Sequence, residues 1–150
     1  MSNTVNNYLS FRVESEWYGI SVNDIIEVLH FMMLTEIPTT TADVLGIVVL
    51  RDMMMPVVDL RLRFGLPDGR LWLDTPIIAV HTSHGALGIV VDEVDDVEQV
   101  TEIVYRNQVH APYVLGVAKL DNRLLLLLDT ELLRKQISVA EDVLLGEDQA

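Results

Sequence analysis

Residues 44–62 read VLGIVVLRDMMMPVVDLRL, and residues 114–132 read VLGVAKLDNRLLLLLDTEL. Each opens on Val-Leu-Gly, runs apolar, breaks at a polar pair, runs apolar again and closes on Asp. The polar pair is Arg51-Asp52 in the first stretch and Asp121-Asn122 in the second. Two apolar runs around such a pair read as a β-hairpin, because Asp and Asn tolerate the left-handed backbone of a tight turn. Asp59 and Asp129 then precede LRLRF and TELLRKQ. An Asp at that point accepts hydrogen bonds from free N–H groups of a starting helix, so both read as N-caps. Pro56 cannot donate to a ladder, which places its strand at a sheet edge. The methionines before it read as core filler with an adaptable outer face.

A second pair of stretches recurs in the same order. WYGISVNDIIEV (17–28) matches ALGIVVDEVDDV (86–97) at Gly19/Gly88, Ile20/Ile89, Val22/Val91 and Val28/Val97, an offset of 69. The first pair has an offset of 70. The chain therefore reads as two related halves, 8–65 and 76–135, joined by the Gly- and Pro-rich GLPDGRLWLDTP. That period is too long for a solenoid unit. YLSFRVE, PIIAVHT and LGIVVDEV are of strand length and rich in β-branched residues. Helix is sparse, with one turn expected in VNDIIEV. Many short strands with Gly and Pro between them point to small barrels. Each half is too small for a strong core of its own, so the two share one. The acidic end SVAEDVLLGEDQA (138–150) reads as a short helix or a frayed tail.

Half of the 150 residues are apolar, the formal net charge is −13 and there is no cysteine. Disulfides, thiolate nucleophiles and cysteine-ligated zinc are thereby excluded. The negative charge repels phosphate backbones and anionic lipid. MSNTVNNY lacks the pattern of a signal peptide, and the longest aliphatic run, Leu124–Leu128, is far too short to span a bilayer. The reading is a cytoplasmic soluble protein.

The polar residues form no evident active site. Asp92, Glu93, Asp95, Asp96 and Glu98 lack the spacing of a calcium loop and read as a solvated face. His81 and His84 flank a turn without a third ligand, so no metal site is expected. Asp59 and Asp129 are equally imaginable as an acid–base pair, but the cap reading explains why both recur. Met32, Met33 and Leu34 are adjacent apolar residues on an expected strand, placed for core or for contact. Arg51, at a hairpin tip, offers a guanidinium to a partner carboxylate or pairs with Asp52.

Taken in order, WYGISVNDIIEV, EIP, VLGIVVLRDMMMPVVDLRLRFG, LGIVVDEVDDV and VLGVAKLDNRLLLLLDTELL resemble the CheW family of bacterial chemotaxis coupling proteins, and the related regulatory domain of the kinase CheA. The resemblance implies a mostly all-β fold: two five-stranded SH3-like barrel subdomains sharing a core, a few short helices and a short C-terminal helix. The domain would span 8–137, with 138–150 as a tail. It implies a non-enzymatic adaptor without cofactor, recruited in the cytoplasm to membrane-bound receptor arrays. The implied partners are a chemoreceptor's cytoplasmic tip and a CheA-type histidine kinase's regulatory domain, with no nucleic acid and no membrane insertion. Arg51 falls on the arginine of the family's Asn-Leu-Arg-Gly motif, which faces the receptor. Ile25, Glu27, Gly88 and Val94 would line the receptor groove, and Leu34, Thr35, Val44 and Gly46 would face the kinase. Val49 stands where the family has Asn, and Asp52 where it has Gly. That Asp costs the turn roughly 1 kcal/mol and puts a negative charge beside Arg51. Two other readings stand beside this one. One is a CheW-like module serving another regulator in a non-flagellar chemosensory system. The other is a carboxylate-based hydrolase, should Asp59, Asp92 or Asp129 converge in a polar pocket.

Overall fold

The computed structural model describes residues 6–37 (backbone alone for Met32), 43–67, 71, 73–105 and 111–137. The expected tail at 138–150 lies outside the described residues. The first half of the chain forms β1 (Asn6–Val13), β2 (Glu16–Ser21), β3 (Ile25–His30), β4 (Val44–Leu50), β5 (Met53–Asp59) and α1 (Leu60–Arg63). The second half forms β6 (Pro76–Val80), β7 (Leu87–Val90), β8 (Glu93–Val100), β9 (Ile103–Tyr105), β10 (Val114–Lys119), β11 (Leu124–Leu128) and α2 (Thr130–Lys135). The turn expected in VNDIIEV is a 3-10 turn, Val22–Asp24, capped by Ser21.

Among the described residues the strands make two sheets, ordered β8-β1-β2-β11-β10-β9 and β3-β6-β7-β5-β4. The two orders superimpose once the repeat is applied: β8 answers to β3, β1 to β6, β2 to β7, β11 to β5 and β10 to β4. Each sheet thus takes its central hairpin from the other half of the chain. Two parallel seams make the exchange, Val57 beside Gly88 in one sheet and Leu127 beside Gly19 in the other. These four positions are the repeat partners found in the sequence. The second sheet has five strands; the first has a sixth because β9 pairs along β10.

This exchange explains the aliphatic runs. Strands in the middle of each sheet bury both faces, so alternation gives way to continuous apolar sequence. Met55, Val57, Ile77 and Ala79 fill the interior of one barrel. Val58, Ile78 and Val80, pointing the other way, join a core shared by both sheets. In the other barrel Leu125 and Leu127 point inward with Val100 and Ala118, while Leu128 joins the shared core. Phe11, Ile20, Leu60, Ile89 and Leu133 complete that shared core, so both halves and both helices close on it.

The Val-Leu-Gly repeat also has a physical cause. Both copies sit at an irregularity of register, between Val44 and Gly46 and between Val114 and Gly116. There the chain on the outer side presses in. A Cβ on Gly46 would collide with the Thr35 carbonyl oxygen, and one on Gly116 would stand 2.5 Å from that of Val104. Only glycine allows that approach.

Three local expectations are corrected. Pro56 is not on an edge strand, since β5 lies between β7 and β4. Its partner Ile47 turns both backbone groups outward to Thr35, at 2.8 Å each. The Pro56 nitrogen therefore faces away from β4, and pairing with β7 begins only at Val57. Met32–Leu34 is not strand: Phe31–Met33 is a 3-10 turn, closed by the Leu34 N–H on the Phe31 carbonyl. The hairpin at Asp121-Asn122 is wider than its counterpart. Lys119 pairs with Leu124, and neither Asp121 nor Asn122 has a positive φ.

Candidate functional site

The β4–β5 hairpin turns in two residues, with Leu50 paired to Met53. Arg51 and Asp52 both adopt left-handed backbone, φ 51° and 68°. Two consecutive positive φ values fit the primed turn whose twist matches the strands. Leu50 and Met55 anchor the hairpin in the barrel interior. Val49 points out and is 60% exposed.

From this tip the Arg51 guanidinium donates to Glu27 Oε1 at 2.8 Å. Glu27 lies on β3, at the opposite end of the sheet order from β4. The ion pair therefore bridges the seam where the sheet curls round on itself. A register shift between Ile25 and Glu27 in β3 re-aims the strand there.

The structure divides the remaining expected receptor residues. Ile25 and Val94 occupy repeat-equivalent positions on β3 and β8 and both pack, half-buried, against the shared core. Gly88 is inside the sheet, where a Cβ would stand 3.0 Å from Val57 Cγ2 and 3.1 Å from Ile77 Cγ2. Its surroundings are packing atoms. Among the expected kinase residues, Thr35 bridges to Ile47 along the outer side of β4, directly against Gly46. Leu34 packs on the barrel interior and Val44 is buried in the shared core. Thr35 is the exposed member of that set.

The carboxylates weighed as catalysts have structural tasks. Asp59 accepts from the Arg61 N–H at 2.9 Å and Asp129 from the Leu132 N–H at 3.0 Å, each capping its helix. Burial pushes the Asp59 carboxyl above the usual aspartate range, against the opposing pull of the Arg61 N–H and guanidinium. Asp92 accepts from Arg61 Nη1 at 2.8 Å and from the Glu14 N–H at 2.6 Å. The acidic run of β8 is partly neutralised: Arg12 pairs with Glu93, and Arg123 donates to Asp95 and Glu98 at 3.1 Å each. Arg123 lies over the Trp17 ring, 4.1 Å from its centroid. His81 and His84 are exposed in the β6–β7 turn. Among the described residues no three His, Asp or Glu side chains are grouped to hold a metal ion.

Sequence reasoning missed two latches that the repeat itself signals. Arg61, on α1, pairs with Glu14 of the β1–β2 turn at 2.7 Å. Its repeat partner Glu131, on α2, accepts from the Ser83 hydroxyl and N–H of the β6–β7 turn at 2.5 and 3.0 Å. Those hydrogen bonds hold the Glu131 carboxyl below its ordinary range. The same position thus fastens each helix to the hairpin of its own half that lies in the other sheet, with opposite charge.

The family model for the CheW-like domain matches residues 7–137. A chemotaxis protein CheW from Klebsiella aerogenes is 30% identical over 130 residues, covering 83% of this chain and 78% of that protein. The CheW of Thermotoga maritima is 29% identical over 143 residues, with 90% and 91% covered. The crystal structure of the scaffolding protein TtCheW from Thermoanaerobacter tengcongensis superimposes with a TM-score of 0.80 at 28% identity, covering 90% of this chain and 95% of that one. Sequence motifs, interleaved sheets and relatives agree, and the chain belongs to the family of CheW-like domains.

Proposed function

We propose that this chain is a scaffolding adaptor that couples a chemoreceptor's cytoplasmic tip to the regulatory domain of a CheA-type histidine kinase. The observation that carries the reading is the Arg51–Glu27 pair. It sets a guanidinium on an exposed, left-handed hairpin tip, at the position of the family's receptor-facing arginine, with its geometry fixed from β3. Val49, two residues before Arg51 on β4, is exposed and adds an apolar side chain near the charged tip. Protein interfaces favour that combination of arginine with apolar surroundings. Thr35, exposed and lying against Gly46, belongs to a separate surface on the outer side of β4, which suits the kinase. No helix among the described residues is long and apolar enough to cross a membrane. The adaptor would reach receptor arrays through its partners.

Pull-down with a receptor signalling fragment and, separately, with the kinase regulatory domain tests the reading. Retention of both supports it. Retention of the kinase domain without the receptor moves the chain to another regulator's pathway. Loss of both at micromolar concentration ends the adaptor reading.

A further inference from the structure

A pocket of about 210 Å³ lies where the parallel strands β2 and β11 end, between Asp24, the exposed Leu115 and the start of α2. Leu127 and Leu128 give it an apolar wall, and Asp24, Asp129 and Glu131 give it three carboxylates. Among the described residues no lysine or arginine lines it. We propose that this pocket binds the guanidinium or ammonium head of an organic cation.

Three observations select that ligand. First, the charges are not balanced from within. Glu131 is held by the Ser83 hydroxyl and N–H, both neutral. Neither Glu131 nor Asp24 pairs with lysine or arginine among the described residues. Desolvation of the Asp24 carboxyl, and next the charge of Glu131, push it above the ordinary aspartate range, against the pull of His81. A cation set between the two acids relieves both. Second, Thr130 is only 6% exposed, and its hydroxyl finds no hydrogen-bond partner among the described residues. A buried polar group left so is costly, and Thr130 lines this pocket, where a ligand N–H can reach it. Third, among the described residues no three of these carboxylates are grouped closely enough to hold a metal ion. Spread acceptors beside an apolar wall suit a head group with several N–H donors on a carbon stem. The volume equals about seven waters at roughly 30 Å³ each, room for that head and a short stem but not for a drug-sized ligand.

Titration calorimetry on the full chain tests this with agmatine, which carries a guanidinium on a short stem, and with butylurea, an uncharged counterpart. The titrations are run at about pH 8, where histidine is ordinarily neutral. Agmatine is expected to saturate the chain, to bind about tenfold tighter than butylurea and to weaken as salt rises. Asp24→Asn should weaken it about fivefold, and Thr130→Val about threefold without lowering the melting temperature. Glu93→Gln, on β8, should leave it unchanged. A peptide with arginine between two leucines distinguishes the source of the head group. Binding about tenfold tighter than agmatine assigns it to a partner protein whose leucine meets the exposed Leu115, and anything less assigns it to a free small cation. Failure of both cations to saturate overturns the proposal. Equal binding of butylurea overturns it too, as does an Asp24→Asn variant that binds like the parent.

Discussion

The guanidinium of Arg51 stands 2.8 Å from the carboxylate of Glu27, so two residues 24 apart in sequence hold the two ends of one sheet together. The Arg51 side chain is 67% exposed and that of Glu27 35%, and pairs so open to solvent contribute little to stability. Their value is in orientation.

Reversing the charge separates orientation from stability. Arg51→Glu is expected to weaken receptor binding at least tenfold, on the order of 1.4 kcal/mol. Thermal stability should change by less than about 1 kcal/mol. The swap Arg51→Glu with Glu27→Arg restores the pair without restoring the charge at the tip. Titration calorimetry that finds full affinity in the swap would show that the pair matters only as a strut.

Asp52 holds a φ of 68°, where glycine is unstrained. Asp52→Gly should raise the chemical-denaturation midpoint, by up to about 1 kcal/mol in free energy. It also removes the negative charge next to Arg51. A lower midpoint would mean that the Asp side chain supports the turn by a bond of its own.

The glycines rank by what stands opposite them. Gly46→Ala and Gly116→Ala drive a methyl into backbone carbonyls, and each should cost about 1–3 kcal/mol. Gly88→Ala meets only methyl groups of Val57 and Ile77, at 3.0 and 3.1 Å, and should cost less. Thermal melts of the three variants give the order directly; an equal loss at Gly88 would mean that its neighbours cannot shift.

Asp59 gives a pH signature. Its folded pKa is raised, chiefly by burial. Its contribution therefore favours the fold below the ordinary aspartate range and is lost as pH rises through the folded value. Asp59→Asn keeps an acceptor for the Arg61 N–H and never ionises. It should match or exceed the parent's stability at neutral pH, gaining on it as pH rises from the ordinary aspartate range through the raised folded value. Asp59→Ala loses the cap and about 1–2 kcal/mol. Guanidinium melts across that range would refute the reading if Asn proved as damaging as Ala.

The repeat was legible because its marks are local. Asp59 and Asp129 cap helices whatever lies around them, and Gly46 and Gly116 record a close approach that only glycine permits. The exchange of hairpins was not legible. It rests on parallel seams between residues as distant as Tyr18 and Leu126, and period-two alternation carries no information about a strand's neighbour. Pro56 misled because the edge rule concerns the missing N–H, and here that nitrogen faces the β7 side of the strand, where pairing begins only at Val57. At the candidate site Arg51 was recognisable from its motif and turn. That Glu27 would meet it depended on the curl of the whole sheet.

The two sheets also differ in when they can exist. The sheet of β3 to β7 uses only consecutive strands, ending at Val90. The other sheet needs β2 against β11, Tyr18 beside Leu126. During synthesis the β1–β2 hairpin has no parallel partner until β11, more than a hundred residues later, has followed. Such non-local pairing is slow to form and keeps apolar edges open meanwhile. The barrel that carries Arg51 has all its strands once β7 has been made, whereas the β1–β2 hairpin gains its parallel neighbour only with β11.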